Sequence, residues 1–312
     1  MKKLIVFFLA CIFWGLACAT EIPSISCGLG WQECSPIKLD IDEFTPATPN
    51  GKTLILVHGS GGIDSSVEFQ KNYLLARGFN VVIPKSWNSR GVRVSHFDYG
   101  EESKKGANQR SQTLDVYATL KRLESKGISP SEVGVIGFSG GSIVGHWQDS
   151  QEFRREVADK FLGYSKNPKF VIGMYGCIGE FNERSTSAKL PYELIMGDQD
   201  YLYPGCSLYA QLKSKLNPNI QIHTIKGAYH HFDASYAAKD WPNQNTGKCF
   251  TIIGHDGNYT LLLMPDIAAG QAPKSFQERL KVCATTGEYA GNNGDQYVGQ
   301  GSLEATINKY MK

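Results

Sequence analysis

The feature that most constrains this chain is an alternation of short apolar runs with longer amphipathic stretches, which begins at Thr53. Each run has strand length and is apolar almost throughout, which is typical of a strand buried on both faces of a sheet. These runs are Thr53–Val57, Phe79–Ile83, Val133–Phe138, Phe170–Tyr175, Tyr192–Met196 and Ile220–Ile225. The helices predicted between and after them are Ser66–Arg77, Arg110–Lys126, Ser142–Leu162, Ser207–Leu216 and Ser302–Met311. Strands joined by helical crossovers form a parallel sheet, so we predict an α/β fold with one doubly wound, mostly parallel sheet.

Two segments fall outside this alternation. Residues 20–52, called the lead-in below, are rich in proline and carry two cysteines. We predict that a disulfide closes this segment and that it contains an edge strand around Ile37–Ile41. Residues 238–300 are rich in glycine and asparagine, and within them Phe250–Ile253 and Tyr259–Leu263 flank a turn and predict a β-hairpin. We interpret this second segment as an insertion in a single domain of residues 53–312, not as a separate folding domain.

The first 19 residues predict a secretory signal peptide. Two lysines precede 14 apolar residues, and Ala17, Cys18 and Ala19 provide the small residues of a cleavage site. A transmembrane anchor is the alternative, but such a helix would cover about 21 Å of a roughly 30 Å hydrocarbon core. We therefore predict a secreted or periplasmic protein without stable membrane association. Lipid anchoring at Cys18 is the less favoured alternative, because Gly15 stands where a lipobox has an aliphatic residue.

Cleavage after Ala19 leaves an even number of cysteines, which predicts disulfides in an oxidising compartment. Many pairings are arithmetically possible, and the spacing favours three of them. The favoured pairs are Cys27 with Cys34, Cys177 with Cys206, and Cys249 with Cys283. A zinc site is the rival interpretation, but no CxxC pair or close His/Cys cluster supports it, and we predict neither a metal nor another cofactor.

The charge balance weighs against polyanionic partners. The chain has 32 Lys and Arg against 30 Asp and Glu, and two of the lysines lie in the predicted signal peptide. A mature chain that is close to neutral and has no basic run has no electrostatic reason to bind nucleic acid or an anionic membrane surface. The composition does not indicate an oligomeric state.

The motif that carries the most chemistry is Gly137-Phe138-Ser139-Gly140-Gly141, which follows a predicted strand and precedes a predicted helix. The pattern G-x-S-x-G is typical of a nucleophile elbow, in which glycines two residues before and after the serine permit a strained turn that exposes its hydroxyl. The same pattern also occurs in ordinary glycine-rich turns. The strand-turn-helix context favours Ser139 as a nucleophile.

A serine hydroxyl needs a base, and the base needs an orienting acid. In elbow hydrolases the acid follows a late strand and the histidine follows the last one. The run that ends at Met196 is followed by Asp198 and Asp200, and the run that ends at Ile225 is followed by His230 and His231. The residue order therefore predicts a Ser-His-Asp triad, while the residues alone do not choose between the two aspartates or the two histidines.

The triad also needs backbone N–H donors for an oxyanion. One donor is expected at Gly140, directly after the nucleophile. The other is expected in the glycine-rich loop after the first apolar run, where Ser60 is the first candidate and Gly61 the second. His58 in the same loop is interpreted as structural.

Five segments together resemble the dienelactone hydrolase family of α/β-hydrolases, in particular its secreted serine members. They are HGSGG, KSWNSRG, GFSGG, GDQDYLYPGC and GAYHHFD, and the resemblance covers residues 50–236 and the final helix. It implies an α/β-hydrolase fold, and it places the acid on Asp200 and the base on His230. Secreted relatives commonly carry a cysteine after each of two strands, which supports the pair Cys177–Cys206.

The resemblance has departures and leaves several residues open. The founding enzyme of the family uses a cysteine nucleophile where this chain has Ser139, so its lactone substrate does not carry over. Arg90 matches a family position and either binds a substrate anion or, as we favour, fixes a loop. Further candidates for the pocket lining are Trp87, Tyr201, Tyr229 and His231. The segment 238–300 exceeds what a minimal member needs and is a candidate for shaping the pocket.

The favoured hypothesis is an exported serine hydrolase that cleaves a small-molecule or polymer-derived carboxylic ester or lactone through an acyl-enzyme. A peptidase or an acyltransferase with the same triad is the alternative within enzymes, because one triad serves any acyl transfer. A non-catalytic binding protein with a hydrolase fold is the alternative outside them, and the unexplained insertion motivates it.

Overall fold

The structure is a computed structural model, and it describes residues 18–28, 34–92, 105–178, 180–200, 202–234, 239–245, 249–254, 259–263, 285–289 and 297–312. The strands are β1 (Cys18–Cys27), β2 (Cys34–Phe44), β3 (Thr53–Val57), β4 (Asn80–Pro84), β5 (Val133–Phe138), β6 (Phe170–Met174), β7 (Glu180–Asn182), β8 (Tyr192–Gly197), β9 (Ile220–Ile225), β10 (Lys239–Asn245), β11 (Cys249–Ile253), β12 (Tyr259–Leu263) and β13 (Thr285–Tyr289). The α-helices are α1 (Ser65–Leu75), α2 (Gln109–Ser125), α3 (Val144–Asp149), α4 (Gln151–Phe153), α5 (Lys160–Leu162), α6 (Tyr203–Lys213) and α7 (Gln300–Tyr310).

The main sheet has eight strands in the order β1-β2-β4-β3-β5-β6-β8-β9. The six strands from β4 to β9 in this order pair in parallel, while β1 and β2 add an antiparallel hairpin at one side. This sheet confirms the predicted mostly parallel α/β-hydrolase fold. Each predicted apolar run forms a strand whose ends agree with the prediction to within one residue.

Helices cover both faces of the sheet, and this explains why its central strands are apolar throughout. Every residue of β3 and β5 is buried. Because side chains alternate along a strand, Ile55 and Val57 pack with residues of α2, whereas Leu54 and Leu56 pack with residues of α1 and α7. Two hydrophobic layers therefore hold the parallel strands and fix the positions of the loops at their carboxyl ends.

The lead-in forms more of the sheet than the sequence predicted. The expected edge strand around Ile37–Ile41 lies within β2, but β2 is flanked on both sides, and β1 is the edge strand. The prediction missed β1 because its buried face carries Ser24 and Ser26 in place of apolar residues. These serines are buried because they hydrogen-bond to an ion pair beneath the hairpin, which is described with the site below.

The predicted helix Ser142–Leu162 is interrupted in the structure. Helix α3 ends at Asp149, and Ser150 adopts an extended backbone conformation with φ −75° and ψ 118°. The Ser150 hydroxyl then accepts a hydrogen bond from the Phe153 N–H at 3.3 Å and begins a new helical segment. A serine that caps a helix competes with helix continuation, which is the physical reason for the break.

The predicted hairpin in the segment 238–300 is confirmed, since β11 and β12 pair antiparallel. The same β11 pairs in parallel with β7, and the Phe250 side chain is buried in the main hydrophobic core. Strands β10 and β13 form a separate two-stranded sheet. The domain boundaries at residues 19, 52, 238 and 300 remain predictions.

Two of the three predicted disulfides are present in the structure. Cys27 and Cys34 lie opposite each other in the β1–β2 hairpin with their Cα atoms 4.1 Å apart. Cys177, which follows β6, bonds to Cys206 in the first turns of α6, with a Cα–Cα distance of 5.6 Å. The third predicted pair, Cys249–Cys283, remains a prediction because Cys283 lies outside the described residues.

Candidate active site

Three loops meet at the carboxyl edge of the parallel sheet. Ser139 directly follows β5, Asp200 follows β8, and His230 lies in the loop after β9. Parallel strands present their carboxyl ends at the same edge, so residues far apart in sequence come together there. This edge is the candidate active site.

The turn at Ser139 has the backbone strain of a nucleophile elbow. Ser139 has φ of +49°, a region that L-residues other than glycine seldom adopt. A Cβ atom placed on Gly137 would lie 2.2 Å from the Gly141 carbonyl oxygen. A Cβ atom placed on Gly141 would lie 2.4 Å from the carbonyl oxygens of Val57 and His58. Both glycines are therefore required by close backbone contacts, as the motif predicted.

Ser139, His230 and Asp200 form a chain of hydrogen bonds. Ser139 Oγ lies 2.9 Å from His230 Nε2, and His230 Nδ1 lies 3.0 Å from Asp200 Oδ2. The histidine and the aspartate are buried, while Ser139 is half-buried at the mouth of the site. With the proton on Nδ1, the imidazole donates to the carboxylate and can accept the serine proton at Nε2.

The two aspartates of the turn after β8 have different contacts. Asp200 Oδ1 also accepts a hydrogen bond from the Leu202 N–H at 2.8 Å, which fixes the carboxylate that faces His230. Asp198 Oδ1 instead accepts from the Gly227 N–H at 2.7 Å. Asp198 therefore joins the acid turn to the histidine loop.

The two histidines also differ. The His231 ring stacks on the His230 ring at a centroid distance of 5.0 Å and an angle of 13°, and its backbone has φ of +55°. Burial lowers the pKa of His231 well below its ordinary value, and the nearby His230 adds to this effect. His231 is therefore a neutral ring that supports the face of His230.

Tyr175 is a part of the site that the sequence did not reveal. Its buried ring lies edge-to-face against His230 at 5.3 Å and against His231 at 4.8 Å. Its backbone has φ of +42°, directly after β6, and burial raises the pKa of its phenol well above the ordinary value. No motif predicts a left-handed tyrosine, so only the three-dimensional contacts identify it.

A buried carboxylate lies behind the histidine loop. Asp233 Oδ2 accepts a hydrogen bond from Gln70 Nε2 of α1 at 2.9 Å. Burial raises the pKa of Asp233 to about 6. Burial likewise raises the pKa of Asp64, whose carboxylate accepts from the Ser66 and Val67 N–H groups at the start of α1.

The glycine-rich loop after β3 lies against the elbow. A Cβ atom placed on Gly59 would lie 3.0 Å from the Phe138 carbonyl oxygen and 3.1 Å from Ser139 Cβ. The Ser60 carbonyl accepts a hydrogen bond from Trp87 Nε1 at 3.0 Å, so the buried tryptophan holds this loop. Trp87, which was a candidate for the pocket lining, thus contacts the loop that carries the expected oxyanion donor.

His58 is buried and has structural contacts. Its Nδ1 donates to the Gly59 carbonyl at 2.8 Å, its own carbonyl accepts from Gln112 Nε2 at 2.9 Å, and its ring packs edge-to-face on Trp87. Burial lowers the pKa of His58 to about 4, so the ring is neutral near neutral pH. These contacts agree with a structural role in the loop.

Arg90 makes buried contacts with the lead-in and α2. Its guanidinium makes a bidentate ion pair with Asp115 at 2.7 and 3.1 Å, with both side chains almost fully buried. The remaining donors reach Ser26 Oγ and the carbonyl oxygens of Ile25 and Ser86. The guanidinium thus joins the lead-in, the loop after β4 and α2, which agrees with the structural role favoured from the sequence.

The other predicted site residues have mixed outcomes. Gly61 is half-buried, with open space where its side chain would lie, and Tyr229 is half-buried beside His230. Tyr201 lies outside the described residues. In the described ranges, no three His, Cys, Asp or Glu side chains come together as a candidate metal site.

The described part of the chain contains no helix that is both long and apolar enough to cross a membrane.

A comparison with curated proteins finds no match.

The fold and the geometry of this edge define an α/β-hydrolase. The chain matches the dienelactone hydrolase family over residues 43–246, and it belongs to that family. The match runs from the end of β2 into the segment after the histidine loop. The protein is therefore a carboxylic ester hydrolase of the dienelactone hydrolase type.

Three similar solved structures are described as two α/β-hydrolases and one esterase. A serine hydrolase without a lid from Xanthomonas campestris is 18% identical, with 70% of this chain and 87% of that chain covered and a TM-score of 0.44. An α/β-hydrolase from a Medee basin deep-sea metagenome library is 14% identical, with 70% and 85% covered and a TM-score of 0.47. Esterase 2 of Thermogutta terrifontis is 16% identical, with 63% and 81% covered and a TM-score of 0.47.

Proposed function

We propose that the protein is an exported serine esterase in which Ser139 is the nucleophile, His230 the general base and Asp200 the orienting acid. The observation that supports this assignment is the hydrogen-bonded chain from Ser139 Oγ through His230 to Asp200, at 2.9 and 3.0 Å. A serine on a strained elbow, an imidazole nitrogen within hydrogen-bond distance of it and a buried carboxylate are the parts that acyl transfer by a triad requires.

The first half of the reaction forms an acyl-enzyme. Ser139 Oγ attacks the ester carbonyl carbon while its proton moves to His230 Nε2, and Asp200 stabilises the imidazolium that results. The negative charge on the carbonyl oxygen is held by the backbone N–H groups of Ser60 and Gly140. The C–O bond to the leaving group then breaks, and His230 returns the proton to the departing alcohol.

The second half releases the acid. A water molecule attacks the acyl-enzyme carbonyl while His230 accepts one of its protons, and the same two N–H groups hold the second oxyanion. The bond to Ser139 Oγ breaks, the serine recovers its proton from His230, and a carboxylic acid leaves. The residues required are all supplied by this chain, and no cofactor enters a step.

Export and substrate class complete the proposal. The apolar stretch before Ala19 and the two disulfides Cys27–Cys34 and Cys177–Cys206 support function in an oxidising compartment outside the cytosol. We propose a small-molecule or polymer-derived ester as the substrate, in keeping with the family. A panel of esters of graded acyl length, with Ser139→Ala as the blank, measures the preferred acyl chain.

A fluorophosphonate probe tests the nucleophile, because only an activated serine reacts with it rapidly. We expect the wild-type protein to be labelled once, on Ser139, and the Ser139→Ala variant to remain unlabelled. The matched control is Ser131→Ala, which removes an exposed serine of the same sequence neighbourhood and keeps full labelling. Labelling that persists in Ser139→Ala would refute the assignment.

A further inference from the structure

Two polar side chains converge on the backbone next to the proposed nucleophile. A Cβ atom placed on Gly140 would lie 2.7 Å from Ser60 Oγ, 3.4 Å from Gln109 Nε2 and 3.5 Å from the Ser60 backbone nitrogen. The Ser60 nitrogen and the Gly140 N–H are the proposed donors of the oxyanion hole. The Gln109 amide therefore stands at the rim of the same small space, and a residue larger than glycine at position 140 would fill it.

Gln109 is placed there by the start of α2. Asn108 caps this helix by accepting a hydrogen bond from the Ser111 N–H at 3.0 Å, and its own amide donates to the Cys27 carbonyl at 2.7 Å. The helix start is thereby anchored to β1. Gln109 is the first residue of α2, so its side chain leaves the helix from a fixed backbone position at the edge of the site.

Among the described residues, the Gln109 side chain makes no hydrogen bond that would explain its position. In the part of the chain that the structure describes, only its backbone carbonyl is engaged, as the acceptor of the Thr113 hydroxyl at 2.8 Å. The side chain is half-buried. A first-turn residue needs no particular side chain for helix formation, because the cap is supplied by Asn108.

We propose that Gln109 is a further catalytic residue, whose Nε2–H donates to the carbonyl oxygen of the ester as that oxygen becomes negatively charged. This inference rests on the proposed serine mechanism and adds a side-chain donor to its two backbone donors. A donor aimed at developing charge in a partly water-excluded pocket stabilises the transition state more than the ground state. It therefore acts on kcat more than on KM.

The test is the substitution Gln109→Glu, together with Gln109→Leu. Glu has the shape of Gln but lacks the N–H donors, and its charge opposes an oxyanion. At the same time, a negative charge in the first turn of a 17-residue helix is favourable for the helix. We expect kcat on a p-nitrophenyl ester to fall by roughly 10- to 100-fold in both variants with KM within about 2-fold, while the melting temperature of Gln109→Glu stays equal or rises.

The matched control is Gln211→Leu, which removes an exposed glutamine of α6 and leaves kcat unchanged. Both Gln109 variants should still take up one fluorophosphonate on Ser139 at the end point, so a failure of the donor is distinguished from a failure of the nucleophile. The proposal is overturned if kcat is unchanged in both variants, if KM rises while kcat is constant, or if kcat falls only together with the melting temperature.

Discussion

Asp198 and Asp200 lie two residues apart in one turn, and their different hydrogen-bond partners give them different roles in the proposed site. Asp200 contacts His230 Nδ1, whereas Asp198 accepts the Gly227 N–H and holds two loops together. An amide oxygen can replace a carboxylate oxygen as the acceptor of one backbone N–H. It cannot replace the charge that orients and stabilises an imidazolium.

We therefore expect Asp200→Asn to lower kcat by roughly 10³-fold or more, with little change in the free energy of unfolding. The matched variant Asp198→Asn should lower kcat by less than about 10-fold, because its side chain can still accept from Gly227. Steady-state kinetics on one ester, with circular dichroism to verify folding, measures both. A severe loss in Asp198→Asn with a mild one in Asp200→Asn would contradict the proposed acid.

Asp233 gives a pH dependence of stability with a defined sign. Burial raises its pKa to about 6 from an ordinary value of 3.8, so the folded state binds the proton more tightly than the unfolded state. The contribution of this group to the free energy of unfolding is then largest below pH 3.8, falls as the pH rises to about 6, and is constant above that. Ionised Asp233 thus destabilises the fold near neutral pH.

The substitution Asp233→Asn removes this ionisation, and its amide oxygen can still accept from Gln70. We expect the variant to unfold at a higher urea concentration than the wild type above pH 6, with the difference shrinking towards pH 4. Other groups, such as His58, also change stability in this range, and the difference between the two proteins cancels them. A difference that does not depend on pH would contradict the burial effect.

At the scale of elements, the Cys177–Cys206 disulfide joins the end of β6 to the start of α6. The turn that carries Asp200 leads directly into α6, since the Asp200 carbonyl accepts the Tyr203 N–H at 2.9 Å. The disulfide closes a sequence separation of 29 residues, so the chain-entropy model assigns it about 3.6 kcal/mol. It also limits the movement of the acid turn.

We expect the double substitution Cys177→Ser with Cys206→Ser to lower both the free energy of unfolding and kcat at temperatures where the fold survives. The comparison variant is Cys27→Ser with Cys34→Ser, which removes a disulfide of separation 7 in the β1–β2 hairpin and leaves the acid turn unchanged. The shorter closure is worth about 2.4 kcal/mol in the same model, and kcat should fall less than in the first pair, because the hydrogen bonds of the Cys27 backbone to the start of α2 do not require the disulfide. Equal effects of the two pairs on kcat would show that the disulfide does not position the acid turn.

The sequence predicted the elements whose pattern is local and missed those that depend on distant contacts. The parallel strands are apolar throughout and were predicted to within a residue. Strand β1 was missed because its buried Ser24 and Ser26 are explained only by the Arg90–Asp115 ion pair, whose members are far away in the chain. The break of the long helix at Ser150 was missed because a capping serine does not differ locally from an exposed one.

In the candidate site too, residues marked by a local pattern were predicted and residues defined by distant contacts were missed. Ser139, Asp200 and His230 were predicted because a motif and a family resemblance point to each of them. The structure places the three side chains in hydrogen-bond contact, which no sequence pattern establishes. Tyr175 and Gln109 were missed because Tyr175 is defined by a left-handed backbone and Gln109 by its approach to Gly140, and both arise from tertiary packing.

At the scale of the whole molecule, the site is the product of one sheet. The residues proposed for catalysis come from four separate loops, which the buried parallel strands bring to one edge, and from the start of α2. The lead-in anchors the start of α2, and the β11–β12 hairpin of the insertion pairs with β7 close to Cys177. Both segments outside the central alternation are thus attached to the central part of the fold, one through α2 and the other through β7.

The most direct test of the proposed mechanism is to capture the acyl-enzyme itself. The protein is mixed with an excess of a short p-nitrophenyl ester, quenched with acid within the first turnovers, and examined by intact-mass measurement and peptide mapping. We expect a mass increase of one acyl group per chain, carried by the peptide that contains Ser139, and no increase in Ser139→Ala. Hydrolysis of the ester without any acyl adduct, or with the adduct on another residue, would contradict the proposal.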